Sequence, residues 1–296
     1  MAPRKGRAAT MSLSMAALAL TAASGYAAGT SLFWAAQGRL IFGKASKLRP
    51  LLSGPVAAQQ MVQALRLAVT AKVELEGWVA RPTQAQTNRV LIYFGGRNEH
   101  VGWASGMSSY LGPWTIYAFN YRGFGQSGGR SSETTAKADA LKIFDEVWRL
   151  EGSRCVELVV MGRSLGTAMA LSVAARRELS RLVLLSPFES LEQLVRKRPV
   201  LHSMRWALRQ KFDCSRDAAT VQASTAVFLA ASDTRIAHHS SLALAARLRQ
   251  TVPVCVVPRT NHKTLPRHPE TQGALAAFLN APASMPKLPN LPGIAL

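Results

Sequence analysis

A serine set between glycines, Gly162-Arg163-Ser164-Leu165-Gly166, is the first feature of this chain that could do chemistry. An apolar run, Val156-Glu157-Leu158-Val159-Val160-Met161, leads into it, and a helix-forming run, Thr167-Ala168-Met169-Ala170-Leu171, leads out. A strand–turn–helix elbow of this kind holds its serine in a strained backbone conformation, and only glycine-sized neighbours let the chain pass. The hydroxyl then projects at the carboxyl end of a strand, where open sheets bind ligands, and the N-terminus of the next helix adds partial positive charge beneath it.

A serine hydroxyl attacks well only when a base removes its proton. In such elbows the partners follow in the order serine, acid, histidine. Asp233 comes directly after the apolar run 226–231, and His262 directly after the run 252–257. Histidine suits the base because its unperturbed pKa lies near neutrality; the aspartate would fix its tautomer and stabilise the imidazolium. His268 is the alternative base. A tetrahedral intermediate also needs two backbone N–H donors. Leu165, next to the serine, should supply one, and the loop Gly95-Gly96-Arg97-Asn98 the other, through Gly96 or Arg97.

The elements that must position these groups are legible as apolar runs of strand length. They are 90–94, 114–119, 156–161, 182–185, 226–230 and 252–257, preceded by an alternating stretch over 73–79. Helix-like stretches fall between them, at 134–150, 164–177 and 240–250. Near-continuous apolar strands alternating with helices describe an α/β fold, with a mostly parallel central sheet covered by helices on both faces.

The chain of 296 residues is nearly half hydrophobic and carries a formal net charge of +20. Its arginines are scattered, apart from the clusters Arg4-Lys5-Gly6-Arg7 and Arg196-Lys197-Arg198. No basic stripe with interleaved aromatics is present, so nucleic acid is not an expected partner. Cys155, Cys214 and Cys255 form neither a disulfide framework nor a zinc spacing. With no P-loop or dinucleotide fingerprint either, no metal and no cofactor is expected.

Residues 8–38 carry no charge and follow a basic segment. That length suffices to span a bilayer, although Ala, Ser, Gly and Thr dilute Leu13, Leu18, Leu20, Leu32 and Phe33. The expectation is an uncleaved N-terminal membrane anchor with the remaining chain on the extracytoplasmic side; the alternative is a cleaved secretory signal. Residues 281–296, with Pro282, Pro286, Pro289 and Pro292, read as a disordered tail.

With these residues in place, the chain resembles the α/β-hydrolases, in particular the small-cap serine hydrolases related to prolyl-oligopeptidase-type peptidases and protein acyl-thioesterases. The resemblance rests on the stretch 120–129 (Asn-Tyr-Arg-Gly-Phe-Gly-Gln-Ser-Gly-Gly), on 162–167 and on Ser186-Pro187-Phe188-Glu189-Ser190-Leu191. It implies an α/β-hydrolase domain over 39–280, a short helical cap at about 189–222, and Ser164, Asp233 and His262 as a catalytic triad. Many relatives place His-Gly after the third strand, where this chain has Gly95-Gly96. Arg122 looks structural, a tie between loops. Within the cap, Leu194, Val195, Leu201, Met204, Trp206 and Leu208 could line an acyl pocket or pack on the sheet. The function expected is hydrolysis of an ester or thioester, with a small or lipid-like acyl ester as substrate. Lipase, peptidase and carboxylesterase chemistry would share the same triad. The reading from another class is a non-catalytic binding or scaffold protein on the hydrolase fold.

Overall fold

The computed structural model describes residues 5–43, 60–83, 87–152, 154–196 and 205–282. Its strands are β1 (Gln60–Thr70), β2 (Val73–Pro82), β3 (Arg89–Phe94), β4 (Thr115–Phe119), β5 (Glu157–Arg163), β6 (Arg181–Leu185), β7 (Ser224–Ala230) and β8 (Val254–Val257). They form one eight-stranded sheet in the order β1-β2-β4-β3-β5-β6-β7-β8. Only the β1–β2 and β2–β4 pairings are antiparallel, and every pairing from β4 through β3 to β8 is parallel.

Two faces of this sheet are buried, which explains why its strands read as apolar runs rather than as alternations. Along β3, Val90, Ile92 and Phe94 point into one core with Phe144 and Met169, whereas Leu91 and Tyr93 point into the other with Trp114 and Phe278. The helices that cover the faces include α3 (Glu133–Glu151), α4 (Leu165–Ala174), α7 (His238–Ala245) and α8 (Pro269–Asn280). Helix α3 starts where a capping box closes: the Thr135 N–H donates to Ser132 Oγ, and the Ser132 N–H to Thr135 Oγ1. Its buried positions, Ala136, Ala140, Ile143, Phe144 and Val147, recur at helical spacing. Arg122 grips buried Asp139 on this helix with two hydrogen bonds of 2.7 and 2.6 Å, so it ties the β4–α3 loop to α3.

Helix α1 (Lys5–Phe42) runs the length of the expected anchor and beyond it. A spanning anchor over 8–38 is not supported: among the described residues, no helix is long and apolar enough to cross a membrane. The small and polar residues that dilute the leucines are the compositional reason. The far end of α1 also has another role. Thr30, Gln37 and Phe42 are buried, with Phe42 edge-on to Tyr121 and Phe212 in the same core as β3. Gln37 donates to the Ala207 carbonyl at 2.6 Å and accepts from the Arg209 N–H at 2.8 Å, which fastens α1 to the stretch 207–209.

The described part of the segment expected as a cap includes α5 (Leu191–Arg196) and α6 (Cys214–Ala218), after the short α2 (Ser108–Leu111) earlier in the chain. Val195 and Leu208 pack inward, while Trp206 is exposed and donates to the Tyr26 hydroxyl on α1. Leu201 and Met204 lie outside the described residues, as do Lys197, Arg198 and all but 281–282 of the expected tail.

Candidate active site

Strand β5 ends at Arg163 and α4 begins at Leu165, so Ser164 alone makes the turn between them. Its backbone lies at φ 51° and ψ −117°, a region that L-residues occupy only under strain. The flanking glycines are required by close approach. A Cβ on Gly162 would sit 2.5 Å from the Gly166 carbonyl oxygen, and one on Gly166 would sit 2.1 Å from that of Phe94. The turn is held by the Ser164 N–H to the Leu185 carbonyl at 2.8 Å and by the Thr167 hydroxyl to the Ser164 carbonyl at 2.6 Å.

Two loops from the far side of the sheet converge on this serine. After β7, Asp233 accepts from the Arg235 and Ile236 N–H groups through Oδ1, both at 2.9 Å, which leaves Oδ2 free to face His262. After β8, the Thr260 hydroxyl bonds the Val257 carbonyl, and the Ser232 N–H bonds the Thr260 carbonyl, so the two loops are joined. The result is a chain of three side chains. Asp233 Oδ2 lies 2.8 Å from His262 Nδ1, and His262 Nε2 lies 2.9 Å from Ser164 Oγ.

Electrostatics fix the direction of that chain. Burial pushes the Asp233 carboxyl up, but the hydrogen bond from His262 and the backbone N–H groups of Ile236 and Arg235 outweigh it and hold the pKa at about 2. An ionised carboxylate only accepts, so Nδ1 carries the proton it donates. In the neutral ring, Nε2 then presents its lone pair to the serine hydroxyl. His268 lies at the start of α8 and takes no part in this chain.

The expected donors resolve differently. Leu165 is the first residue of α4, and the first-turn N–H groups of a helix have no carbonyl within the helix to bond. On the loop after β3, the Gly96 N–H is engaged by Glu99 Oε2 at 2.6 Å. The Asn98 N–H is engaged by the Phe42 carbonyl at 3.0 Å. Among the described residues the Arg97 N–H makes no hydrogen bond, so it is open to a ligand. Asn98 itself, at φ 59°, turns the loop back.

Glu99 is the residue that sequence reasoning missed. Its buried carboxylate accepts from four groups: Tyr93 Oη and Trp103 Nε1 at 2.7 Å on one oxygen, and Gly96 N and Arg163 Nη1 at 2.6 Å on the other. Burial raises its pKa, but Arg163 and the three hydrogen bonds prevail and set it below the ordinary value. A lone glutamate a few residues past a strand carries no signal in sequence; Arg163 was visible only as the variable residue of the elbow. Among the described residues no cluster of His, Cys, Asp or Glu could hold a metal ion.

Comparison with known proteins follows the same lines. Residues 85–213, under half of the chain, match the family described as serine aminopeptidase, S33; the match includes Ser164 but neither Asp233 nor His262. An uncharacterized protein of Mycobacterium tuberculosis is 31% identical over 151 residues, which are 50% of this chain and 53% of that protein. The chain thus spans about half the length of that relative. Lysophosphatidylserine lipase ABHD12 of Gallus gallus is 36% identical over 89 residues, 28% of this chain and 23% of the lipase. Among solved structures, an esterase of Pyrococcus furiosus superposes with a TM-score of 0.63 at 15% identity, covering 80% of this chain and 96% of the esterase. An acylaminoacyl peptidase of Pyrococcus horikoshii gives 0.57 at 16% identity, over 73% of this chain and 40% of the peptidase.

Proposed function

We propose, for a chain whose fold is that of the α/β-hydrolases, that it is a serine hydrolase cleaving carboxylic esters or thioesters through an acyl-enzyme. The observation that carries this reading is the aligned chain Asp233–His262–Ser164, with contacts of 2.8 and 2.9 Å. A binding or scaffold module has no need of an oriented base behind a strained serine.

In the proposed reaction Ser164 Oγ attacks the acyl carbon while His262 Nε2 takes its proton. Asp233 holds the ring and stabilises the imidazolium that forms. The Leu165 and Arg97 N–H groups receive the oxyanion of the tetrahedral adduct. Collapse expels the alcohol or thiol, which takes the proton from His262. Water then attacks the acyl-enzyme by the same route in reverse, releasing the acid and restoring Ser164. The similarity to a lysophosphatidylserine lipase over 89 residues supports the ester class.

The test is turnover of a short p-nitrophenyl ester together with labelling by a fluorophosphonate. Ser164→Ala should lose the labelling and at least about a thousandfold in rate, as removal of a triad nucleophile does. Labelling that survives in Ser164→Ala would move the nucleophile elsewhere.

A further inference from the structure

Arg163 sits between two loops that the proposed chemistry must keep in register. One arm of its guanidinium, Nη1, donates to Glu99 Oε2 at 2.6 Å, and the other, Nη2, donates to the backbone carbonyl of His262 at 2.8 Å. The same Glu99 oxygen receives the Gly96 N–H. A single contact path therefore runs from the loop bearing Arg97, through Glu99 and Arg163, to the loop bearing His262. Arg163 also adjoins Ser164 in the chain, so nucleophile, base and oxyanion loop share one fixed point.

Burial makes this path stiff. The Glu99 side chain is 7% exposed and that of Arg163 14%. Every acceptor position of the carboxylate is taken, two by the anchors Tyr93 and Trp103, which stand on the sheet and the following turn. The Tyr121 hydroxyl holds the Gly95 carbonyl at 2.7 Å, so the residue before Gly96 is fixed as well. With the Gly96 N–H turned down toward Glu99, its neighbour Arg97 is left to point its own N–H elsewhere.

We infer that Glu99 and Arg163 are positioning residues: as one buried ion pair they aim the Arg97 N–H at the developing oxyanion and hold His262 against Ser164. The inference rests on the hydrolase reading above and assigns to these two residues a role in kcat rather than in substrate binding. Neither touches substrate. Glu99→Gln replaces one of the two acceptor oxygens by an amide NH2, so one pair of donors loses its partner. Arg163→Lys keeps the charge but offers a point cation in place of the fork that spans both loops.

The experiment measures kcat and KM on a short p-nitrophenyl ester, and Ki for a trifluoromethyl ketone, in the full chain and in three variants. Arg122→Gln serves as the structural control, because it breaks an ion pair between the β4–α3 loop and α3 that includes none of Ser164, Asp233, His262, Glu99 and Arg163. For Glu99→Gln and Arg163→Lys, kcat should fall about 10- to 100-fold with KM within about threefold, the scale of a misplaced donor. The ketone, whose adduct carries the oxyanion, should lose affinity by the same factor as kcat/KM. Arg122→Gln should lower the melting temperature and leave kcat of the folded fraction unchanged. The inference is overturned if folded Glu99→Gln and Arg163→Lys keep kcat within about threefold of the parent, or fall no further than Arg122→Gln. If Glu99→Gln does not fold, Arg163→Lys decides alone. A parent chain without turnover or fluorophosphonate labelling overturns the hydrolase reading itself, an outcome distinct from active parent and unaffected variants.

Discussion

The carbonyl of Phe42 accepts the Asn98 N–H at 3.0 Å, and that of Leu40, two residues earlier, accepts Arg97 Nε at 3.0 Å. The last turn of α1 is therefore stitched to the loop that bears the proposed oxyanion donor. Helix C-termini leave carbonyls without internal partners, and here the loop after β3 uses two of them. What looked in sequence like a segment separable from the domain ends as part of the scaffold of the candidate site.

Phe42 should accordingly matter twice. It is 1% exposed, against Tyr121 and Phe212. Phe42→Ala should cost about 3–5 kcal/mol of stability, the usual range for a buried phenylalanine, read as a lowered urea midpoint. Deleting residues 1–43 should lower both stability and kcat. Deleting only 1–28 spares Thr30, Gln37 and Phe42 and should leave kcat within about threefold of the full chain, because mutations far from the contact change little.

Asp233 sets an acid limit on stability. Its pKa is held at about 2, below the ordinary 3.8, despite the burial that opposes this. A depressed carboxyl contributes stability that is complete above the unfolded-state pKa and is lost as pH falls through 4 toward 2. The shift corresponds to about 2 kcal/mol. Denaturation measured at pH 6 and at pH 2.5 should differ by less in Asp233→Asn than in the parent. The same variant should drop kcat by about 10⁴, since an amide no longer selects the His262 tautomer.

Local features were legible and long-range ones were not. The elbow is contiguous in sequence, and Asp233 and His262 each follow an apolar run directly, so order and strand ends together pointed to them. The extent of α3 belongs to the same class, as does a structural role for Arg122, which ties its loop to α3 rather than to a second loop. Strand β1 was missed because it is an edge strand with an imperfect alternation, Met61 lying largely exposed on it. The Glu99–Arg163 pair joins residues 64 positions apart, and nothing in either neighbourhood announces the other. Gly96 and Arg97 could not be separated, since only the carboxylate beneath Gly96 decides which amide is occupied. The anchor expectation followed length and lack of charge, whereas the diluted apolarity of α1 and its docked end argue otherwise.

The strain at Ser164 predicts a stability gain from losing function. At φ 51° and ψ −117° an alanine is as strained as the serine, but glycine is not. Relief of about 1–3 kcal/mol is offset by about 0.4–1 kcal/mol of extra chain entropy in the unfolded state. Ser164→Gly should thus unfold at a higher urea concentration than Ser164→Ala, by about 1 kcal/mol at the middle of these ranges, with both inactive. Equal midpoints would mean that the elbow stores no strain.

Two glycine-to-alanine changes should move in opposite directions. At Gly166 a Cβ would stand 2.1 Å from the Phe94 carbonyl oxygen and 2.6 Å from that of Gly95, both backbone atoms of the strand and loop beside Ser164. Neither can move without displacing β3 or the loop that bears Arg97, so Gly166→Ala should destabilise by more than about 3 kcal/mol and lose activity even where folded. At Gly273, inside α8, a Cβ meets nothing within 4 Å. The backbone there is helical and the site exposed, so Gly273→Ala should stabilise by about 0.5–1 kcal/mol, with kcat unchanged. Urea denaturation and ester turnover of the two variants separate a glycine required by close approach from one that merely weakens a helix. A tolerated Gly166→Ala would show that β3 and α4 do not pack at the distance on which the elbow geometry depends.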